Sequence, residues 1–141
     1  MEHKEYRRIV DGASTAVLFI HGIVGTPRQF DVLLPFVPRE MSVVTILLDG
    51  HGGAARDFSR TSMRKWTGQV RCEVDALSAS HEHVYIAAHS MGTLFAVEQA
   101  IRSTKVKGLF LLAVPIKVAL KPRMVRNVLK VGFGRIKPDD H

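Results

Sequence analysis

Four short runs of Val, Ile, Leu and Phe limit what this chain can fold into: AVLFI (16–20), VVTILL (43–48), VYIAA (84–88) and GLFLLAV (108–114). None alternates with polar residues, the pattern of strands buried on both faces of a parallel sheet. Segments with helical spacing lie between them. TPRQFDVLLPFV (26–37) has Pro27 at a helix start with Thr26 before it as an N-cap. Residues 62–80 place Trp66, Val70, Val74 and Leu77 in one apolar stripe, and residues 90–103 offer Leu94, Val97 and Ile101. RRIVDGAST (7–15) adds a short leading strand and turn. With right-handed crossovers, the order β-α-β-α-β-α-β builds an open, mostly parallel α/β sheet with flanking helices.

At 141 residues, 46% hydrophobic and 23% charged, the chain has material for one domain with a core. Its net charge of +7 is unevenly spread. Up to Pro115 there are 13 Lys/Arg against 11 Asp/Glu, whereas Ile116 to Lys137 carries seven basic residues and no acid. Two regions follow: residues 1–115 as the α/β core and 116–141 as a basic amphipathic segment. A domain-wide footprint for nucleic acid is absent, so no nucleic-acid partner is expected. No apolar run approaches the ~20 residues of a membrane span, so no stable membrane insertion is expected. The charged N-terminus leads into no apolar stretch, so no secretory leader is expected. With the lone Cys72, this suits a cytoplasmic location. The histidines are scattered, His81 and His83 lack a third ligand nearby, and no glycine-rich nucleotide loop occurs; neither metal nor cofactor is expected.

In an open parallel sheet, ligands bind beyond the carboxyl ends of the strands. Those ends carry HGIVGTP (21–27), DGHGG (49–53) and HSMGT (89–93). In VYIAAHSMGTLFAV a buried strand runs into Ser90 and then a helix, the context of a nucleophile elbow. Ala88 and Gly92, two residues to either side, are small, as a sharp turn needs. The blander reading makes Ser90 a helix N-cap, and the strand-serine-helix context favours the elbow over it. The strand-HG-x-x-G segment before a helix resembles the oxyanion loop of the α/β-hydrolase superfamily, in its carboxylesterase and monoacylglycerol-lipase branch.

The resemblance covers about residues 14–120 and implies a role for each matching position. Ser90 is the nucleophile, and the backbone N–H groups of Ile23 and Met91 form the oxyanion hole. His21 is an orienting residue, while Gly22, Gly25 and Gly92 allow the tight backbone course. His89 is covalently next to Ser90, with its ring expected to point away from the nucleophile. DGHGG resembles the family's PGHG turn, with Asp49 in place of the usual proline or arginine. His51 reads as loop packing and Trp66 as core.

The family's acid and base follow the nucleophile in the chain. After Ser90 the acids are Glu98, Asp139 and Asp140, and the sole histidine is His141. Glu98 is two turns down the helix, and the last three residues are neighbours whose side chains diverge. No acid or base is therefore found in this chain. The expectation is the N-terminal portion of a serine esterase or lipase acting on carboxylic esters or acylglycerols, with 116–141 resembling the start of a cap. GLFLLAV would then be a bare sheet edge prone to self-association. The alternative is a catalytically inactive hydrolase remnant acting as a binding module.

Overall fold

A computed structural model describes residues 3–116. Five strands form one sheet in the order β1-β3-β2-β4-β5: β1 (Tyr6–Arg8), β2 (Thr15–Ile20), β3 (Ser42–Ile46), β4 (His83–His89) and β5 (Val106–Leu112). β1 runs antiparallel to β3, and the other neighbours are parallel. All four apolar runs are strands, as their composition predicts. One helical turn, α1 (Ala55–Phe58), and helix α2 (Met63–Ser80) join β3 to β4; α3 (Gly92–Arg102) joins β4 to β5.

Alternation within the strands divides the core. Ala16, Leu18, Ile20, Val44, Ile46, Ile86 and Ala88 face α2 and α3, meeting Trp66, Val70, Val74, Leu77 and Phe95. The stripe expected on α2 is thus the buried one, and Ser62 caps that helix by accepting from the Lys65 N–H at 3.3 Å. On the other face Phe19, Val43 and Ala87 meet Phe30, with its ring 5.0 Å from that of Phe19.

Two expected elements differ. Residues 26–37 form no α-helix but two 3-10 turns, Pro27–Phe30 and Leu34–Phe36, and the Thr26 side chain caps neither. Pro35 has no N–H to donate, and its ring clashes with a helical carbonyl four residues back. On α3 the expected stripe faces the wrong way. Leu94, Val97 and Ile101 are exposed, whereas Gly92, Phe95, Ala96 and Gln99 are buried. The turn before the helix sets its phase. A β-carbon on Gly92 would lie 2.5 Å from the Ile20 carbonyl oxygen, so the helix is pressed onto the sheet there. Residues three, four and seven positions on follow Gly92 inward.

Phe95→Ala should therefore cost about 3–5 kcal/mol in urea denaturation, while Ile101→Ala, at a residue 83% exposed, should change stability by less than about 0.5 kcal/mol. Similar losses at both positions would contradict this helix phase.

Candidate active site

Strand register brings the sequence motifs together. Ile20 pairs with Ala88 and with Ile46, so the segments leaving β2, β3 and β4 emerge level with one another. A methyl group on Gly22 would lie 2.9 Å from Ser90 Cβ and 3.1 Å from the His89 carbonyl oxygen. Glycine is required where these two backbones touch.

Ser90 has φ +51°, a left-handed conformation that costs an L-residue about 1–2 kcal/mol. Three hydrogen bonds hold it there. Its N–H donates to the Leu112 carbonyl at 2.8 Å, and its own carbonyl accepts from the Thr93 N–H (3.0 Å) and the Thr93 hydroxyl (2.6 Å). The N-cap position of α3 is Met91, and no side chain caps the helix. The serine hydroxyl is thus not used as a cap. Ser90 instead sits where the helix dipole and free N–H groups favour negative charge.

Val24 (φ +57°) and Ala113 (φ +52°) share this conformation. All three non-glycine residues with positive φ among the described residues follow parallel strands β2, β4 and β5. Strain of this kind collects at functional sites. For Val24, β-branched and fully outside the usual preference for glycine or asparagine, no sequence signal announces it.

Ile23, Val24 and Met91, beside Ser90 and Gly22, divide by exposure. Ile23 and Val24 project outward, while Met91 is buried against the core. The loop closes on itself through the Gly25 N–H donating to the Gly22 carbonyl at 3.0 Å. The Ile23 and Met91 N–H groups have no hydrogen-bond partner among the described residues.

His21 ties this loop to β3. The Leu48 N–H donates to Nε2 at 3.0 Å, so Nε2 is unprotonated. Nδ1–H then donates to the Gly22 carbonyl at 2.8 Å, which fixes the tautomer. Burial pushes the His21 pKa down to about 4, with the neighbouring His51 adding to the drop and the bond to Gly22 opposing it. His51 packs among aromatic rings at 4.8 Å from His21, 5.0 Å from Phe58 and 5.1 Å from Trp66, as loop packing predicts. Trp66 is buried and its Nε1–H donates to the Asp49 carbonyl at 2.8 Å, which supports the DGHGG turn from below. In that turn Gly50 and Gly52 both have positive φ.

His89 stands on the sheet face opposite α3, with Nδ1 buried and unpartnered beside Gly22. Glu98 lies exposed on the outer side of α3. Among the described residues no imidazole or carboxylate hydrogen-bonds the Ser90 hydroxyl, and no three His, Cys, Asp or Glu side chains converge as metal ligands. The acids and histidine at 139–141, and the segment from residue 117 on, lie outside the described residues.

A model of the alpha/beta hydrolase family matches residues 17–140. No curated protein sequence matches the chain. Among solved structures, one reported for LipS and LipT, two metagenome-derived lipolytic enzymes, superposes with TM-score 0.76 at 19% identity; the match covers 99% of this chain and 54% of that one. A marine microorganism esterase gives TM-score 0.66 at 21% identity, covering 99% and 53%. The thioesterase domain from the curacin biosynthetic pathway gives 0.66 at 22%, covering 95% and 55%. The chain spans about half the length of these structures.

Two outcomes follow from this geometry. Ser90→Gly should raise stability by up to about 1 kcal/mol, because glycine adopts the left-handed conformation without strain; Ser90→Ala should be near neutral. A stability loss in Ser90→Gly would contradict the strain. The second outcome concerns pH. Unfolded, His21 takes up a proton near pH ~6.5, whereas the native state resists until about 4. Its contribution is complete above pH ~6.5 and is lost as pH falls to about 4, by up to about 3 kcal/mol. Urea midpoints measured across that range should show this acid limb in the wild type and a flatter one in His21→Gln.

Proposed function

The chain belongs to the alpha/beta hydrolase family, and on that premise we propose that it is the nucleophile-bearing part of a serine hydrolase acting on carboxylic esters, with Ser90 as the attacking residue. The observation that carries this reading is the strained Ser90 at the end of a central strand, beside Gly22 and at the N-terminus of α3. The lipolytic and esterase neighbours support an ester or acylglycerol substrate.

In this reading Ser90 Oγ adds to the substrate carbonyl carbon, and the carbonyl electron pair moves to oxygen. The Ile23 and Met91 N–H groups donate to that oxyanion. Donors held ready in this way are worth about 3–4 kcal/mol each where one has been removed. Collapse expels the alcohol and leaves an acyl-serine for water to cleave. His21 acts as a positioning residue: its neutral ring holds the Gly22 carbonyl and the end of β3, so the loop keeps its shape. The proton of Ser90 passes to a base supplied from outside residues 3–116, oriented by an acid from outside them too.

A second reading has its own observation, the Ser90 hydroxyl without an imidazole or carboxylate partner among the described residues. It makes the fold an inactive remnant that binds without turnover. Fluorophosphonate labelling separates the two. In the protein completed with its base and acid, the expected result is one adduct mapped to Ser90 and lost in Ser90→Ala. Labelling that persists in Ser90→Ala would remove the serine from its role, and a folded but unlabelled wild type would favour the remnant.

A further inference from the structure

Two strands that lie side by side end in the same unusual way. His89 and Leu112 are paired at the ends of β4 and β5. The residue after each, Ser90 and Ala113, has a left-handed backbone, with φ +51° and +52°. One hydrogen bond joins the two turns, the Ser90 N–H donating to the Leu112 carbonyl at 2.8 Å. At Ser90 the strain serves the proposed attack; at Ala113 it serves no chemistry of its own. We propose that Ala113 is a positioning residue for the nucleophile, its left-handed backbone aiming the Leu112 carbonyl at the Ser90 N–H. This role rests on the reading of Ser90 as the attacking residue.

Peptide geometry carries the assignment. The Leu112 carbonyl and the Ala113 N–H lie in one planar unit, so φ of Ala113 is the angle at which the chain leaves that plane. The path beyond has little slack. The ring of Pro115 locks its own φ, and the Ile116 N–H donates to the Val114 carbonyl at 2.9 Å, closing a three-residue turn around the proline. Between the last rung at Leu112 and this turn stands Ala113 alone. A change of its φ from positive to negative must be taken up by the Leu112–Ala113 plane, which turns the carbonyl away from Ser90. Among the described residues, Ala113 belongs to neither apolar cluster, and its N–H and carbonyl make no hydrogen bond that accounts for the conformation. Strain of this kind persists where its geometry is used.

The elbow is held from three sides. Thr93 of α3 donates twice to the Ser90 carbonyl, from its N–H at 3.0 Å and its hydroxyl at 2.6 Å. The Gly22 backbone stands against Ser90 Cβ. From β5 comes the Leu112 carbonyl, and this bond fixes the peptide plane that enters Ser90. That plane sets the direction in which the side chain leaves the turn. Loss of the rung frees it, so Ser90 Oγ spends less time where a carbonyl carbon can meet it.

Amide hydrogen exchange of the full chain, followed by NMR, reads the bond directly. Ala113→Pro forces a negative φ and should speed exchange at the Ser90 N–H about tenfold or more. Ala113→Val, which keeps the N–H but resists positive φ, should speed it less. Ala113→Gly adopts this φ without strain and should leave exchange as slow as in the wild type. The Val84 N–H, which donates to the Lys105 carbonyl at 2.9 Å at the far end of the same strand pair, should exchange alike in all four proteins. In the protein completed with its base and acid, fluorophosphonate labelling of Ser90 should slow in the same order, from Gly through Val to Pro. Ser90 exchange in Ala113→Pro that matches the wild type overturns the proposal. So does an equal rise at Val84, which marks a general loosening of the strand pair, or unchanged labelling where the Ser90 amide exchanges faster. A completed wild type that is folded but unlabelled, with the exchange order intact, overturns the ester-hydrolase reading and supports the bond that Ala113 sets.

Discussion

Between the carbonyl oxygens of Ile20 and His21 and the first residue of α3 there is no space for a β-carbon: one placed on Gly92 would meet them at 2.5 and 2.8 Å. That contact presses the helix onto the end of β2, and the chain between β4 and α3 must then turn within Ser90 and Met91. The left-handed backbone of Ser90 follows from this, as does the burial of Phe95, Ala96 and Gln99 along the inner side of α3. Gly22 answers Gly92 across the same gap. Packing and site geometry share one cause, so a methyl group at either glycine disturbs both.

The second requirement is that the loop 21–25 keep its shape without regular structure. His21 meets it by spanning two strand ends, accepting from Leu48 and donating to Gly22 in a single tautomer. Burial keeps the ring neutral, so it can both accept and donate at ordinary pH. The rings of His51, Phe58 and Trp66 pack against one another beside it. Among the described residues the helices pack on one face of the sheet, whereas Phe36 and Phe110 lie exposed. The two edges of the sheet differ as well. β1 is three residues long and carries Arg7, ion-paired to Glu73, while β5 is seven residues long and largely apolar.

Much of this was legible in the residues. Runs of β-branched and aliphatic residues announce buried strands because a parallel sheet hides both faces. HGIVG, DGHGG and HSMGT announce turns because their glycines and small residues permit close approach. The α2 stripe was readable because that helix packs flat on the sheet over its whole length. The α3 stripe was not, since helical periodicity states that a face exists without stating its phase. Nor was the 26–37 segment, where Pro35 outweighs an otherwise helical spacing.

The chain's own chemistry thus determined the strand order along the sequence, the tight turn at Ser90 and the glycines around it, because these depend on local sterics and short-range pattern. Only tertiary structure decided which side of α3 is buried, which tautomer His21 holds, and that Val24 and Ala113 share the strain of Ser90. Each of those depends on what lies opposite a residue in space, and spacing along a chain does not carry that information.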